Sequence, residues 1–410
     1  MRTYRALAAL PEFRALWTSS ALTTIASTMS SLALATVVHR QTGSALLAAV
    51  AMSGPSLAQV LGATTLMAAA DASPPRRTLL LVGAGTAAAL CLQTIPGLGV
   101  PERLLLVLGA AYVASIGAGA RWGLLAEIVP ADGFALGRSA MNVAVGAFQV
   151  LGFATSGLLL AVLTAAQVFA VAAGVSLLAV PVLRFGLPER PARRTARVGP
   201  RETWRGNRAL LRGRHTRALL VALCLPNGLV VGCEALFVPY AGDRAGWLLA
   251  AAALGMMTGD LLVGRVLTAE GRRRTNTALR LLLAAPFLAF ALEPPVPVAV
   301  LLVGLATAGY GASLAQQEWL VAVSPAELRG QVLGLESSAR MTAQGLGAVL
   351  AGALADVVSV APAMAALAAA SLAVSLLLIR PLARVAACVR TAPVRTTSGS
   401  VAAGRRRPRA

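Results

Sequence analysis

Lysine is absent from this chain: all 36 basic residues are arginine. With Ala, Leu and Gly so abundant, that reads as the coding bias of a GC-rich genome rather than as chemistry. The two histidines, His39 and His215, lie far apart in connecting segments, so they offer no catalytic triad and no metal cluster. The four cysteines (Cys91, Cys224, Cys233 and Cys388) show no CxxC spacing, and three sit in apolar runs as small hydrophobic side chains. No G-x-x-x-x-G-K-[ST] loop occurs, so ATP hydrolysis is not expected. Charged residues make up 13% of the chain, about half the share of roughly 25% that soluble domains carry.

What is present is apolar. Of 410 residues, 57% are hydrophobic, and the mean hydropathy is +0.74. Runs long enough to cross a bilayer as helix recur along the chain. They read as roughly twelve spans, at 15–38, 44–70, 78–98, 104–126, 139–162, 165–183, 218–241, 246–267, 277–293, 297–322, 331–354 and 360–380. Strands of a membrane barrel would alternate polar and apolar residues, so helices are the spanning form.

Between the sixth and seventh runs lies a polar stretch, Arg184 to Arg217, with eleven arginines against Glu189 and Glu202. The net charge of +20 sits there and in the other loops and the tail. In those places it meets anionic lipid headgroups rather than nucleic acid. One set of loops holds Arg76, Arg77, Arg138, the central stretch, Arg272 to Arg274 and Arg329. The opposite set holds little beyond Arg40, Arg103 and Arg244. The positive-inside rule then places both termini and the central stretch on the cytoplasmic side of the cell membrane. The expected organisation is a six-helix bundle at 1–183, an arginine-rich cytoplasmic linker at 184–217 and a second six-helix bundle at 218–380. A disordered basic tail is expected at 381–410.

The two halves repeat each other. At an offset of 195, Pro130-Ala131-Asp132 meets Pro325-Ala326-Glu327, while Gln149, Gly152 and Gly157 meet Gln344, Gly347 and Gly352. Arg14-Ala15-Leu16 likewise resembles Arg217-Ala218-Leu219. Two parallel six-span repeats joined by a cytoplasmic loop are one known transporter layout.

Along nearly its whole length the chain resembles the major facilitator superfamily, in its bacterial drug-exporter-like branch. The opening Phe13-Arg14-Ala15-Leu16-Trp17 and the later Thr42-Gly43-Ser44 carry the likeness. The loop after the second span is similar to the family's G-x-x-x-D-R-x-x-G-R-R signature. Asp71, Arg76 and Arg77 match it; Met67, Ala72 and Pro75 replace the first glycine, first arginine and second glycine. In that family the loop makes charge contacts that hold one closed state. The resemblance therefore implies a cytoplasmic gate at Asp71, Arg76 and Arg77, with a plain positive-inside anchor as the alternative. In span five, Gly152-Phe153-Ala154-Thr155-Ser156-Gly157 keeps the outer glycines of the exporters' G-P-x-x-G-G and departs at Phe153 and Ser156. Small residues there also let helix backbones approach closely.

Ionisable groups inside spans are costly, and each is a candidate for function. Glu234 lies deep in span seven, and Asp260 lies near the middle of span eight. An apolar setting favours the neutral carboxyl, which suits either residue to carry a proton. The structural alternative is a carboxylate paired with arginine to lock helices together. Glu336, Arg340 and Gln344 fall at i, i+4 and i+8 in span eleven, on one face. Gln149, with Asn142 two turns earlier, forms a similar stripe in span five. Together with Arg121 of span four, these are the candidate lining of a path between the halves. Hydrogen bonding between helices without ligand contact is the other reading.

The sequence thus describes an all-α integral membrane protein, with about twelve helices in two pseudo-two-fold-related six-helix bundles. It reads as a secondary transporter rather than an enzyme, with no cofactor and no metal. The expected activity is proton-coupled efflux of small amphipathic molecules, the halves rocking about a midplane site. A proton-coupled importer of a small metabolite or anion is the alternative, with Arg121 or Arg340 as countercharge. A non-transporting sensor or scaffold is a further one. The expected partners are a small-molecule substrate and the lipid bilayer, with the chain acting as a monomer.

Overall fold

The computed structural model describes residues 4–66, 74–129, 134–191, 200–325 and 328–391, and no strand occurs among them. A short α1 (Tyr4–Ala8) precedes the first bundle. That bundle consists of α2 (Pro11–Thr42), α3 (Ala45–Thr65), α4 (Pro75–Leu92), α5 (Val100–Ile128), α6 (Phe134–Val162) and α7 (Ala165–Gly186). Within the linker lies α8 (Pro200–Arg212). The second bundle begins with α9 (Arg214–Ala235), continued by the single turn α10 (Phe237–Ala241), and α11 (Ala245–Arg265). Next come α12 (Ala269–Ala284), which tightens into the 3₁₀ segment Ala285–Leu292, and α13 (Val296–Thr307). The 3₁₀ turn Ala308–Gly311 joins α13 to α14 (Ala312–Val323). The last elements are α15 (Arg329–Val358), α16 (Val360–Leu377) and α17 (Ile379–Thr391).

Local chemistry sets the boundaries. Pro11 opens α2, and Gly43 closes it at φ 66, its N–H bonded to His39 O. Ser44 then caps α3 by accepting from Leu47 N. Thr42-Gly43-Ser44 is therefore a stop signal followed directly by a start signal, turning the chain between its first two spans. At the other end of the first bundle, Thr164 and Gln167 form a capping box that starts α7.

Ten stretches are long and apolar enough to cross a membrane. One of them, Arg214–Arg265, holds two antiparallel columns, and α4 stands beside the ten because its opening Arg76 and Arg77 dilute its hydropathy. Twelve helical columns result among the described residues, six on each side of the linker. The repeat is visible in the boundaries: α6 begins at residue 134 and α15 at 329, an offset of 195.

The bundles meet along two seams, α3 on α15 and α6 on α11. At the end away from the linker they share one apolar core, in which Leu34 and Phe169 join Phe237, Phe287 and Phe290. At the linker end the core divides. One cluster gathers Leu7, Leu16, Leu124 and Leu183. The other gathers Leu210, Leu219, Trp319 and Leu382.

One expectation changes here. Helix α17 runs through Thr391, where a disordered tail was expected from residue 381. Leu382 and Val385, one helical spacing apart, are buried in the second bundle's core, while Arg380 and Arg384 stay exposed. The linker too carries structure: α8 buries Leu210 and leaves Arg205, Arg208 and Arg212 outside. The rest of the tail, 392–410, lies outside the described residues.

Candidate substrate cavity

A cavity of about 510 Å³ lies between the bundles, within the range of about 300–1,000 Å³ typical of small-molecule sites. Its walls differ in chemistry. From the first bundle come Ser27 and Ser31 of α2, Ser53, Ser56 and Gln59 of α3, Thr86 of α4, and Gln149 and Phe153 of α6. None of these is charged. From the second come Asn227, Glu234, Asp260, Tyr310, Arg340 and Gln344, so the ionisable lining belongs to that half. Met52, Leu90, Val107, Leu249 and Met256 supply apolar surface between the polar groups.

Glu234 stands in the last turn of α9, just before the helix breaks at Leu236. The Tyr310 hydroxyl donates to Glu234 Oε1 at 3.2 Å. Tyr310 sits on the 3₁₀ turn between α13 and α14, and that local tightening aims the phenol at the carboxylate. Asp260, on α11, is exposed to the cavity and lies within electrostatic reach of Arg340. Arg340 Nε donates to Glu336 Oε1 at 2.9 Å, one helical turn away. With Arg340 held by Glu336, the cavity wall presents the two carboxyl groups of Glu234 and Asp260.

Other expected lining residues lie elsewhere. Glu336 is 2% exposed and does not line the cavity. It is packed under Arg340 and accepts from Gln317 Nε2 at 3.4 Å, because a buried carboxylate has to be satisfied on all sides. Arg121 is also absent from the wall. Its guanidinium NH2 points at Thr23 Oγ1, 3.5 Å away on α2, and its Nε is buried without a partner. Gln344 reaches the wall and donates to Asn227 Oδ1 at 2.7 Å. Gln149 lines the opposite side. Asn142 lies on α6, but its side chain, like the whole of Asp71, is outside the described residues. Arg76 and Arg77 occupy the first turn of α4, with Arg77 exposed.

Three polar residues inside spans were passed over in the sequence, and two of them, Asn227 and Tyr310, line the cavity. Asn227 and Tyr310 were signalled only as polar groups inside spans. Arg280 is a charge within span nine; it is 3% exposed and donates from NH2 to Ser375 O at 2.7 Å.

The end of the cavity away from the linker is sealed by backbone proximity. A Cβ on Gly246 would lie 2.6 Å from Gly157 Cα, and one on Gly352 would lie 2.4 Å from Leu46 Cα. Only glycine permits either crossing. Polar contacts reinforce the seal. Asp356 of α15 accepts from Ala45 N at 2.7 Å and from Ser44 Oγ at 2.9 Å, and so caps α3 across the seam. Arg40 pairs with Asp243 nearby.

The family model described as the Major Facilitator Superfamily matches residues 16–244. The chain is 31% identical over 300 residues to the multidrug efflux pump Tap of Mycobacterium tuberculosis, covering 68% of this chain and 70% of that one. It is 29% identical over 220 residues to the multidrug efflux pump Tap of Mycolicibacterium fortuitum, covering 50% and 53%. The match thus spans about half the length of the second relative. Among solved structures, a POT family transporter in complex with a thioalcohol-conjugated peptide superposes with a TM-score of 0.76 at 11% identity, covering 91% and 96%. An inward-facing, unoccupied bacterial homolog of the human lysosomal transporter Spinster gives 0.66 at 15% identity, covering 95% and 98%. At these identities the structural likeness shows the fold alone.

Proposed function

The chain belongs to the Major Facilitator Superfamily, and we propose that it is a monomeric, proton-coupled exporter of small amphipathic molecules working by alternating access. The observation that carries this reading is the pairing of Glu234 and Asp260 on one wall of the inter-bundle cavity. A carboxylate inside a membrane protein is retained at a cost and marks a proton or ligand path. Both relatives described above are named multidrug efflux pumps, which favours export.

On this reading the linker end faces the cytoplasm, as the arginine distribution requires. The separate cores at that end and the glycine seal at the other then correspond to an inward-facing state. Glu234 adjoins the seal directly: its neighbour Ala235 packs with Ala49 of α3 and Ala348 of α15. A proton arriving from outside would reach Glu234 once that packing opens, and substrate from the cytoplasm would meet Asp260. The import of an anion is disfavoured because Arg340, the cation on the wall, is already spent on Glu336.

Proton movement in inverted vesicles loaded with a pH dye tests the reading. Adding amphipathic compounds is expected to alkalinise vesicles bearing the wild-type protein, with the response lost in Glu234→Gln or Asp260→Asn. A folded wild type that never responds would sink the exporter reading.

A further inference from the structure

The cavity does not treat the two bundles alike. Its wall includes Thr86, Ala89 and Leu90 of α4, on one face of that helix, but no residue of α12, the third column of the second bundle as α4 is of the first. Helix α4 packs on α5 and α7 at the back of its bundle. From the space between the bundles it is reached only past α5, whose Ala110, Ala111 and Ala114 also belong to the wall. The cavity therefore sends an arm into the first bundle. The repeat shows why the second bundle has none. Ile128 and Val323, the last residues of α5 and α14, are 195 apart, so Ala114 corresponds to Gly309 and Ser115 to Tyr310. A Cβ on Gly309 would lie 2.5 Å from Leu279 O of α12, so there the two elements meet backbone to backbone and leave no gap. Beside that contact stands the Tyr310 phenol, bonded to Glu234. In its place the first bundle has only the hydroxymethyl of Ser115, turned back onto Tyr112 O at 2.7 Å.

Resting on the reading of this cavity as a substrate site, we infer that the arm is a subsite for an unbranched alkyl chain, and that amphiphiles carrying such a chain are substrates. Small side chains on α4 and α5 leave a gap one chain wide between helices. A row of methylenes entering it leaves water and meets packed atoms on both sides. A branch needs one wall to move, and a close-packed helix pair resists that. Leu90 belongs to the shared apolar core at the sealed end. The tip of the chain thus lies towards the seal, while the polar head stays in the cavity between the bundles.

Two isomers test this without a contribution from charge. Radiolabelled n-octyl glucoside and 2-ethylhexyl glucoside share a neutral head and a carbon count, so they partition alike into lipid. Binding of each is measured below its micellar concentration on the full chain in lipid nanodiscs, with empty nanodiscs subtracted. The linear isomer is expected to bind about tenfold tighter, because the branch keeps roughly two methylenes out of the arm. Filling the arm with Ala114→Leu or Ala111→Phe is expected to bring that ratio to about one. Ala88→Leu, on an exposed position of α4, is expected to keep it. Unfolding midpoints no lower than that of wild type show that the filled variants are intact. The wild-type ratio needs no variant, so the inference can fail even where a filled variant does not fold. Equal affinity for the isomers in wild type would overturn it, and is the result expected if the acyl chain of a membrane lipid holds the arm. No binding above empty nanodiscs, or a ratio that survives in both filled variants, would overturn it as well. The pH-dye assay reads export separately. A tenfold ratio with no proton movement for any compound keeps the arm and sinks the export reading, while proton movement with equal affinities sinks only the arm.

Discussion

Glu336, expected on the cavity wall beside Arg340 and found buried beneath it, illustrates how little spacing alone decides about one side chain. The i, i+4 interval to Glu336 predicts a neutral pair, and the pair is formed, but only Arg340 reaches the cavity. Removing the arginine strands a carboxylate that is 2% exposed. Arg340→Ala is therefore expected to destabilise the protein by about 3 kcal/mol, the order of magnitude for breaking a buried pair. Glu336→Gln combined with Arg340→Gln is expected to recover most of that loss, because no charge is then left alone. Thermal unfolding in detergent compares the two. A single variant as stable as wild type would show that Glu336 finds another partner.

At the level of the element, the start of α3 depends on a residue from the opposite bundle. Ser44 caps its own helix, while Asp356 receives Ala45 N and Ser44 Oγ from more than three hundred residues away. A carboxylate at a helix N-terminus is favourable in any state that keeps it there, and parting α3 from α15 would take it away. Asp356→Ala is expected to raise the population opened at that end about tenfold, from a loss of the order of 1–2 kcal/mol. Spin labels at the exposed positions Gln41 and Val357, in a background lacking Cys91 and Cys388, would report a second, longer distance. An unaltered distance distribution would remove Asp356 from any role in the seal. The glycines act at the same end on the other seam: Gly246→Leu of α11 has no room against Gly157 of α6 and is expected to populate the same longer distance.

Across the whole molecule, one shared core at one end and two separate cores at the other define a body that can rock. If rocking is the transport cycle, a bond across the seal must stop it. Ala49 and Ala348 pack together at the seam between α3 and α15. A49C/A348C is expected to lose compound-driven proton flux under oxidation and to regain it with reductant. Flux that persists through complete oxidation would separate transport from opening at this end.

The sequence by itself settled the properties that are local along the chain. Runs of apolar residues fixed that this is a helical membrane protein, since length and hydropathy decide what can cross a bilayer. The arginine stretch divided the spans six and six, and the offset of 195 paired α6 with α15 before either was seen. Thr42-Gly43-Ser44 marked a turn because capping is written in adjacent residues. The tertiary structure alone decided which face of each span looks inward. A polar stripe marks a face without saying whether a cavity or a neighbouring helix meets it, so Glu336 and Gln344, two turns apart on one face, ended up respectively buried and on the wall. Asn227 meets Gln344 only because α9 packs on α15 within the second bundle, and Asp356 meets Ala45 only because the two bundles dock as they do. The helix in the tail follows the same rule: Leu382 and Val385 are too few to announce a fold, and it took the core around Trp319 to give them something to pack against.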